Sequence, residues 1–331
     1  MGRFIGLVII LWLLLFTLRT LQIGGIDPTF RDKEVQLFKP LRERLVETLD
    51  ETLPYPQSAL LSGILIGSQE RFPYYLKDQM KATSTIHIAV VSGQNLTMLA
   101  GFIMSIVSFL GRRKTIALTL LVVGFYSLLT GFQVPAIRAS IMVALAFLAQ
   151  ILGKERSGWW VLLITAGAML LYNPNWLLSI SFQLSFLATM GVVVVAPILV
   201  ERFKAVPQII KQDLAVTLAA QAMVLPVIVY NFGQLSLVGV LANLFVLWTI
   251  PIIMVTGFIS LVLGLLSNFL GSLFGWIPAI LLTYFIDLVQ FFSKIPGASV
   301  GVGETGILLW VGYYLILGAV IWGTTIKNKS N

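Results

Sequence analysis

Apolar positions dominate this chain, and polar ones gather in a few places. The run FIGLVIILWLLLFTLRTLQI, residues 4 to 23, is the first stretch long enough to cross a bilayer, which takes about 20 residues. Residues 24 to 85 form the one polar stretch of any length. Further apolar runs cover residues 86–110, 115–132, 134–152, 158–172, 176–200, 214–232, 236–266, 269–293 and 306–326. From Leu214 to Ile286 the chain carries no Asp, Glu, Lys, Arg or His. The pattern predicts an all-α polytopic membrane protein with about ten transmembrane helices. Pro251 leaves two forms open for 236–266, one kinked span or two short ones.

Within the polar stretch, Phe38, Leu41, Leu45 and Leu49 recur at helical spacing, and Pro40 suits a first turn. This predicts an amphipathic helix lying on the membrane or on the bundle. The segment ALLSGILIGSQERFP, residues 59 to 73, is too short to span and is expected on the membrane surface. No series of alternating strands suggests a small β domain here. No small-residue cleavage site follows the first apolar run, so an uncleaved anchor is expected.

Composition agrees with the membrane class. The 331 residues are 58% hydrophobic and only 11% charged, against about 25% charged in soluble domains. Mean hydropathy is +0.94. There is no cysteine and one histidine, His87. This excludes disulfides, thiol nucleophiles and zinc sites built on thiolates or several histidines. Gly153-Lys154 continues with Glu155 and lacks the glycine spacing of a Walker A loop. No catalytic residue, metal or cofactor site is assigned, and energy for any transport would come from elsewhere.

Charge sets an expected orientation. If each run crosses once, Arg3, Arg112, Arg113, Lys114, Lys154, Arg156, Arg202, Lys204, Lys211, Lys327 and Lys329 share one side with only Glu155, Glu201 and Asp213. The 24–85 segment, on the other side, is nearly neutral. Basic loops stay cytoplasmic. The expected plan is therefore a transmembrane anchor at 1–23, an extracytoplasmic segment with an amphipathic helix at 24–85, a transmembrane channel domain at 86–326 and a cytoplasmic tail at 327–331. Both termini are expected in the cytoplasm.

That orientation gives depths. Helices rise about 1.5 Å per residue. His87 falls at the outer rim, and Ser92, Gly93, Gln94 and Asn95 fall roughly 9–14 Å in. Arg138 lies one turn down the 134–152 run, with Gln133 at its outer turn. Gln183 and Ser185 enter with 176–200, Asn243 with 236–266, and Gln221 reaches the midplane from inside. An arginine in mid-span costs about 2.5–3.5 kcal/mol on insertion scales. Such groups therefore face a partner helix or a wet cavity. Gly93 among polar neighbours predicts a broken helix near Ser92–Asn95, a feature tolerated where it is buried or lines a cavity. Each residue also has a plainer role. Arg138 can snorkel, His87 can rest at the interface, Gln183, Gln221 and Asn243 can join helices, and Asp287 can pair with Lys294.

With these motifs in view, the chain resembles the ComEC-type competence DNA-uptake permeases. HIAVVSGQN is similar to the family's histidine followed by Ser-Gly and a polar pair. SGILIGSQERFP, YSLLTGFQVPAIRASIM (residues 126 to 142), FQLSFLATMG (182 to 191) and LSLVGVLANL (235 to 244) match further elements in family order. The resemblance implies a polytopic channel for single-stranded DNA, with His87, Ser92, Gly93, Asn95, Arg138, Gln183 and Ser185 in the shared core. It implies for Arg138 either a phosphate contact or a clamp on the broken helix. The outer oligonucleotide-binding-type domain and the metallo-β-lactamase-like domain of longer relatives have no counterpart in these residues. A separate DNA receptor, a DNA-pulling motor and a detached nuclease are the expected partners.

Three functions compete. The first is an inner-membrane channel for single-stranded DNA, working by translocation without covalent chemistry. The second is a transporter of another polar or anionic solute. The third is a non-transporting scaffold. A membrane enzyme is disfavoured, because the single histidine has no acidic partner at its depth and Asp287 is the only carboxylate well inside a run.

Overall fold

The computed structural model describes residues 2–27, 38–68, 70–105, 107–153, 157–203, 205–303 and 306–329. The basic loop at 154–156, Lys204 and the last two residues lie outside this set. The described chain is 81% helical, which establishes the all-α class.

The helices, in chain order, are α1 (Gly2–Gln22), α2 (Lys39–Thr52), α3 (Gln57–Ile66), α4 (Tyr74–Ala82), α5 (Gly93–Ser105), α6 (Val107–Leu110), α7 (Arg112–Leu129), α8 (Val134–Ile151), α9 (Gly158–Tyr172), α10 (Ile180–Met190), α11 (Ala196–Arg202), α12 (Gln208–Phe232), α13 (Gly239–Val246), α14 (Ile250–Leu266), α15 (Asn268–Ser293) and α16 (Ile307–Lys329). Two short strands, β1 (Gln234–Ser236) and β2 (Ser299–Gly301), pair antiparallel with Leu235 opposite Val300.

Among the described residues, five stretches are long and apolar enough to cross a membrane: Val134–Ile151, Ile180–Arg202, Ile210–Phe232, Gly239–Leu266 and Asn268–Ser293. They coincide with five of the expected spans. The apolar helices Val8–Gln22, Gly158–Tyr172 and Leu308–Ile321 are shorter. Large apolar side chains such as Leu266, Phe269, Trp276 and Ile280 point outward, as lipid-facing groups do.

Irregularities in the spans have local causes. Residues 239–266 form one stretch with a single 3-10 turn at Leu247–Thr249, just before Pro251. A π-helical turn, Gly191–Val195, joins α10 to α11. Gly191 is needed there, because a Cβ would meet the Ala219 carbonyl oxygen of α12 at 2.5 Å. Pro226 inside α12 cannot donate to the Ala222 carbonyl one turn back. The Tyr313 hydroxyl donates to that oxygen at 2.9 Å, and Tyr314 donates to Met223 at 2.8 Å. The two tyrosines thus bind α16 to the turn before Pro226.

Two expectations change. First, residues 59–66 do not lie on a surface. Every residue from Ser58 to Ile66 is buried, and Leu60, Leu61, Ile64 and Ile66 join Ile253, Leu282 and Phe285 in one core. The physical reason is that α3 is apolar all round, and such a helix must be enclosed on every face. Second, the stretch 86–110 is not a helix broken in the middle. A 3-10 turn at Ile86–Ile88 is followed by non-helical backbone to Ser92, and α5 begins at Gly93.

The predicted amphipathic helix is present as α2. It buries Leu45, Val46, Thr48, Leu49 and Thr52, while Leu41 is exposed. Asn268, at the turn between α14 and α15, donates to Glu51 Oε2 at 2.8 Å. At the opposite end of that hairpin, Ser84 packs against Gly239, where a Cβ would meet it at 2.8 Å. Residues 39–85 therefore touch both ends of the α14–α15 hairpin.

Candidate functional site

The start of α5 is built from its own sequence. Ser92 accepts from the Asn95 backbone N–H through Oγ at 3.3 Å, the position of an N-cap. Its hydroxyl donates to Asn95 Oδ1 at 3.0 Å. The other half of the Asn95 amide is used at long range, where Nδ2 donates to the Ile64 carbonyl at 3.0 Å. That carbonyl lies in the last turn of α3, where four oxygens lack helical partners. Gly67 ends α3 in the left-handed conformation, φ +80°, which L side chains avoid. The Gly67 and Ser68 amides close on Gly63 and Ser62, so neither serves Ile64. Tyr126 adds a long contact to the same oxygen at 3.5 Å, and Gln133 Nε2 reaches the Gly67 carbonyl at 3.5 Å. Ser92, Asn95 and Gln133 thus tie the amino ends of α5 and α8 to the carboxyl end of α3.

Arg138 is the second part of the site. It is only 8% exposed. Its Nη1 donates to Thr189 Oγ1 and contacts Met142 Sδ at 3.7 Å. The guanidinium carbon stands 5.9 Å from the Phe186 ring centroid, within cation–π range. Nε is buried without a partner. Among the described residues no carboxylate comes within ion-pair distance of Arg138. Nη2 lies so close to Gly93 that a Cβ there would collide with it. The buried cation therefore stands beside the first residue of α5. Gly93 is half-buried and Gln94 is exposed, which leaves one side open.

Of the other predicted residues, His87, Gln183 and Asn243 are not brought here. His87 is exposed on its 3-10 turn, with Nδ1 3.0 Å from the Ser84 carbonyl oxygen. Gln183 Nε2 donates within its own neighbourhood to the Leu177 carbonyl at 3.0 Å. Ser185 enters through its carbonyl, which accepts from Thr189 at 2.9 Å. Asn243, on α13, is buried with Oδ1 unpartnered, and Gln221 on α12 leaves Oε1 unpartnered. Thr189 and Phe186 also belong to the site. Both lie inside FQLSFLATMG, and Thr189 follows Ser185 by one helical turn, so the spacing carried a usable signal. Among the described residues no cluster of His, Cys, Asp or Glu could hold a metal ion.

Comparison with known proteins identifies relatives. The family described as Competence protein matches residues 64–326. A protein named Uncharacterized protein YcaI, from Escherichia coli (strain K12), is 31% identical over 225 residues, covering 62% of this chain and 29% of that protein. ComE operon protein 3, from Bacillus subtilis (strain 168), is 24% identical over 244 residues, covering 71% of this chain and 30% of that protein. The chain thus matches less than a third of the length of either relative. No solved structure matches it.

Proposed function

The chain belongs to the competence protein family, and from that premise we propose that it conducts single-stranded DNA across the inner membrane during natural transformation. The observation that carries this reading is the family match over residues 64–326, supported by the relative named ComE operon protein 3. The apolar bundle, with five helices among the described residues long and apolar enough to cross, suits an integral membrane protein. The step is translocation, with no bond made or broken by the protein. A DNA receptor, a pulling motor and a nuclease are the proposed partners. The path runs between α5, α8 and α10, past Gly93 and Arg138.

Deleting the gene from a transformable host tests this. The expected result is loss of labelled DNA from the nuclease-protected fraction, restored by the gene in trans. Unchanged uptake in the deletion strain would overturn the proposal. One observation favours a second reading, transport of another anion on the same scaffold. Arg138 offers a buried positive charge with no carboxylate in ion-pair distance among the described residues, and this suits small anions as well as a nucleic acid. Accumulation of a small anion by proteoliposomes, with no passage of DNA, would favour it.

A further inference from the structure

We propose that the first turn of α5 and Arg138 together form a binding site for a single phosphate group, open on the side of Gln94. The proposed function enters only in naming that phosphate as one of a DNA strand.

The site follows from what the first turn leaves unsatisfied. A helix begins with amides that have no intrahelical acceptor and with a partial positive charge. Ser92 serves the Asn95 amide, and its carbonyl takes Asn95 and Leu96. Among the described residues, the Gly93 and Gln94 amides find no acceptor. Beside them stands Arg138, nine-tenths buried, with Nε unpartnered. Placing a guanidinium next to the positive end of a helix reverses the usual stabilising arrangement. An anion bound against both on the open Gln94 side offsets both charges and supplies acceptors to both sets of donors.

The residue at position 93 makes the approach possible. Any side chain there would displace Nη2. Four residues into α5, the exposed Thr97 bonds back to the Gly93 and Gln94 carbonyls, so its hydroxyl does not occupy the first turn. The nearest described partners of the guanidinium are the Thr189 hydroxyl, the Met142 thioether and the Phe186 ring, none of them an anion. A planar guanidinium with two amides is suited to a tetrahedral oxyanion. A phosphodiester, inorganic phosphate and a phospholipid headgroup share this chemistry.

The test uses the full chain purified in neutral detergent. Anisotropy of a fluorescein-labelled oligothymidylate reports binding, with inorganic phosphate and phosphatidylglycerol as competitors. The variants are Arg138→Gln and Gln94→Pro. The second removes one free amide within the first turn of the helix, where proline is tolerated. Wild type is expected to bind the oligonucleotide and to release it to phosphate. Each variant is expected to weaken both ligands, by about tenfold for Arg138→Gln and by several-fold for Gln94→Pro. Unchanged affinity in folded variants overturns the site, as does a wild type that binds neither ligand. Release by phosphatidylglycerol but not by phosphate overturns it too, because the site is then a lipid contact. If Arg138→Gln does not fold, Gln94→Pro decides alone. A mere structural clamp predicts lower stability for Arg138→Gln and no effect of Gln94→Pro on affinity. Phosphate binding that depends on Arg138, with DNA uptake intact in the deletion strain, keeps the site and removes the DNA reading. Uptake lost on deletion but normal in both variants does the reverse.

Discussion

Replacing Asn95 by leucine removes two hydrogen bonds at once. Leucine is close in size, so the main effect is polar. The Ile64 carbonyl loses its 3.0 Å donor and keeps only the Tyr126 hydroxyl at 3.5 Å. The Ser92 hydroxyl loses its acceptor, although Oγ still caps the Asn95-position amide. Asn95 is 2% exposed, so water does not replace the lost partners. A buried unsatisfied group costs about 1–3 kcal/mol, and a partly exposed hydroxyl about 0.5–1.5 kcal/mol. The expected total is about 1.5–4.5 kcal/mol. The assay is reversible denaturation in mixed micelles, followed by tryptophan fluorescence. Tyr126→Phe alone is expected to cost under about 1 kcal/mol, because its bond is long. Combined with Asn95→Leu it should cost more than it does alone, because Tyr126 is then the last donor left to Ile64. Wild-type stability of Asn95→Leu, or strict additivity with Tyr126→Phe, would refute the assignment of Asn95 as the cap of α3.

Other outcomes follow from the same structure. With no native cysteine, single cysteines at Glu47 and Lys81 are expected to react with impermeant reagents from opposite membrane faces, since α2 meets the α14–α15 turn and α4 meets β1 near the other end; labelling of both from one face would refute this placement and support a one-sided 24–85 segment. Tyr313→Phe is expected to cost about 1 kcal/mol in wild type and clearly less in a Pro226→Ala background, where the restored amide serves the Ala222 carbonyl; equal costs in both backgrounds would refute the proline account.

Much of this architecture was readable from pattern, and what was not depended on contacts between distant segments. Uniform apolarity gave the long spans, and the spacing of Leu45 and Leu49 with Pro40 gave α2. The burial of α3 was also within reach, because a ten-residue apolar helix suits a core or re-entrant element better than a surface. The start of α5 was harder. Ile86, Ile88, Val90 and Val91 continue the apolar run, so composition alone extends a span through them. The Ser92 cap starts α5, and the segment before it packs on distant residues, the Ala89 carbonyl on Gly63 and Val91 on Gly67. Ser92 and Asn95 were singled out as a break, yet their bonds show a cap at one helix start and a tie to another helix end. The Arg138–Gly93 approach joins positions far apart in the chain, and no local pattern announces it. Gln183 and Asn243 share the expected depth of Ser92–Asn95, but equal depth does not make neighbours.

The most direct test of the central claim is passage of DNA through the purified protein. Proteoliposomes containing the chain would carry an inside-positive potential, with labelled single-stranded DNA outside. The account predicts nuclease-protected label inside vesicles with wild-type protein, and a sharp reduction with Arg138→Gln. Protection no greater than in protein-free vesicles, at a potential that moves a control ion, would contradict it.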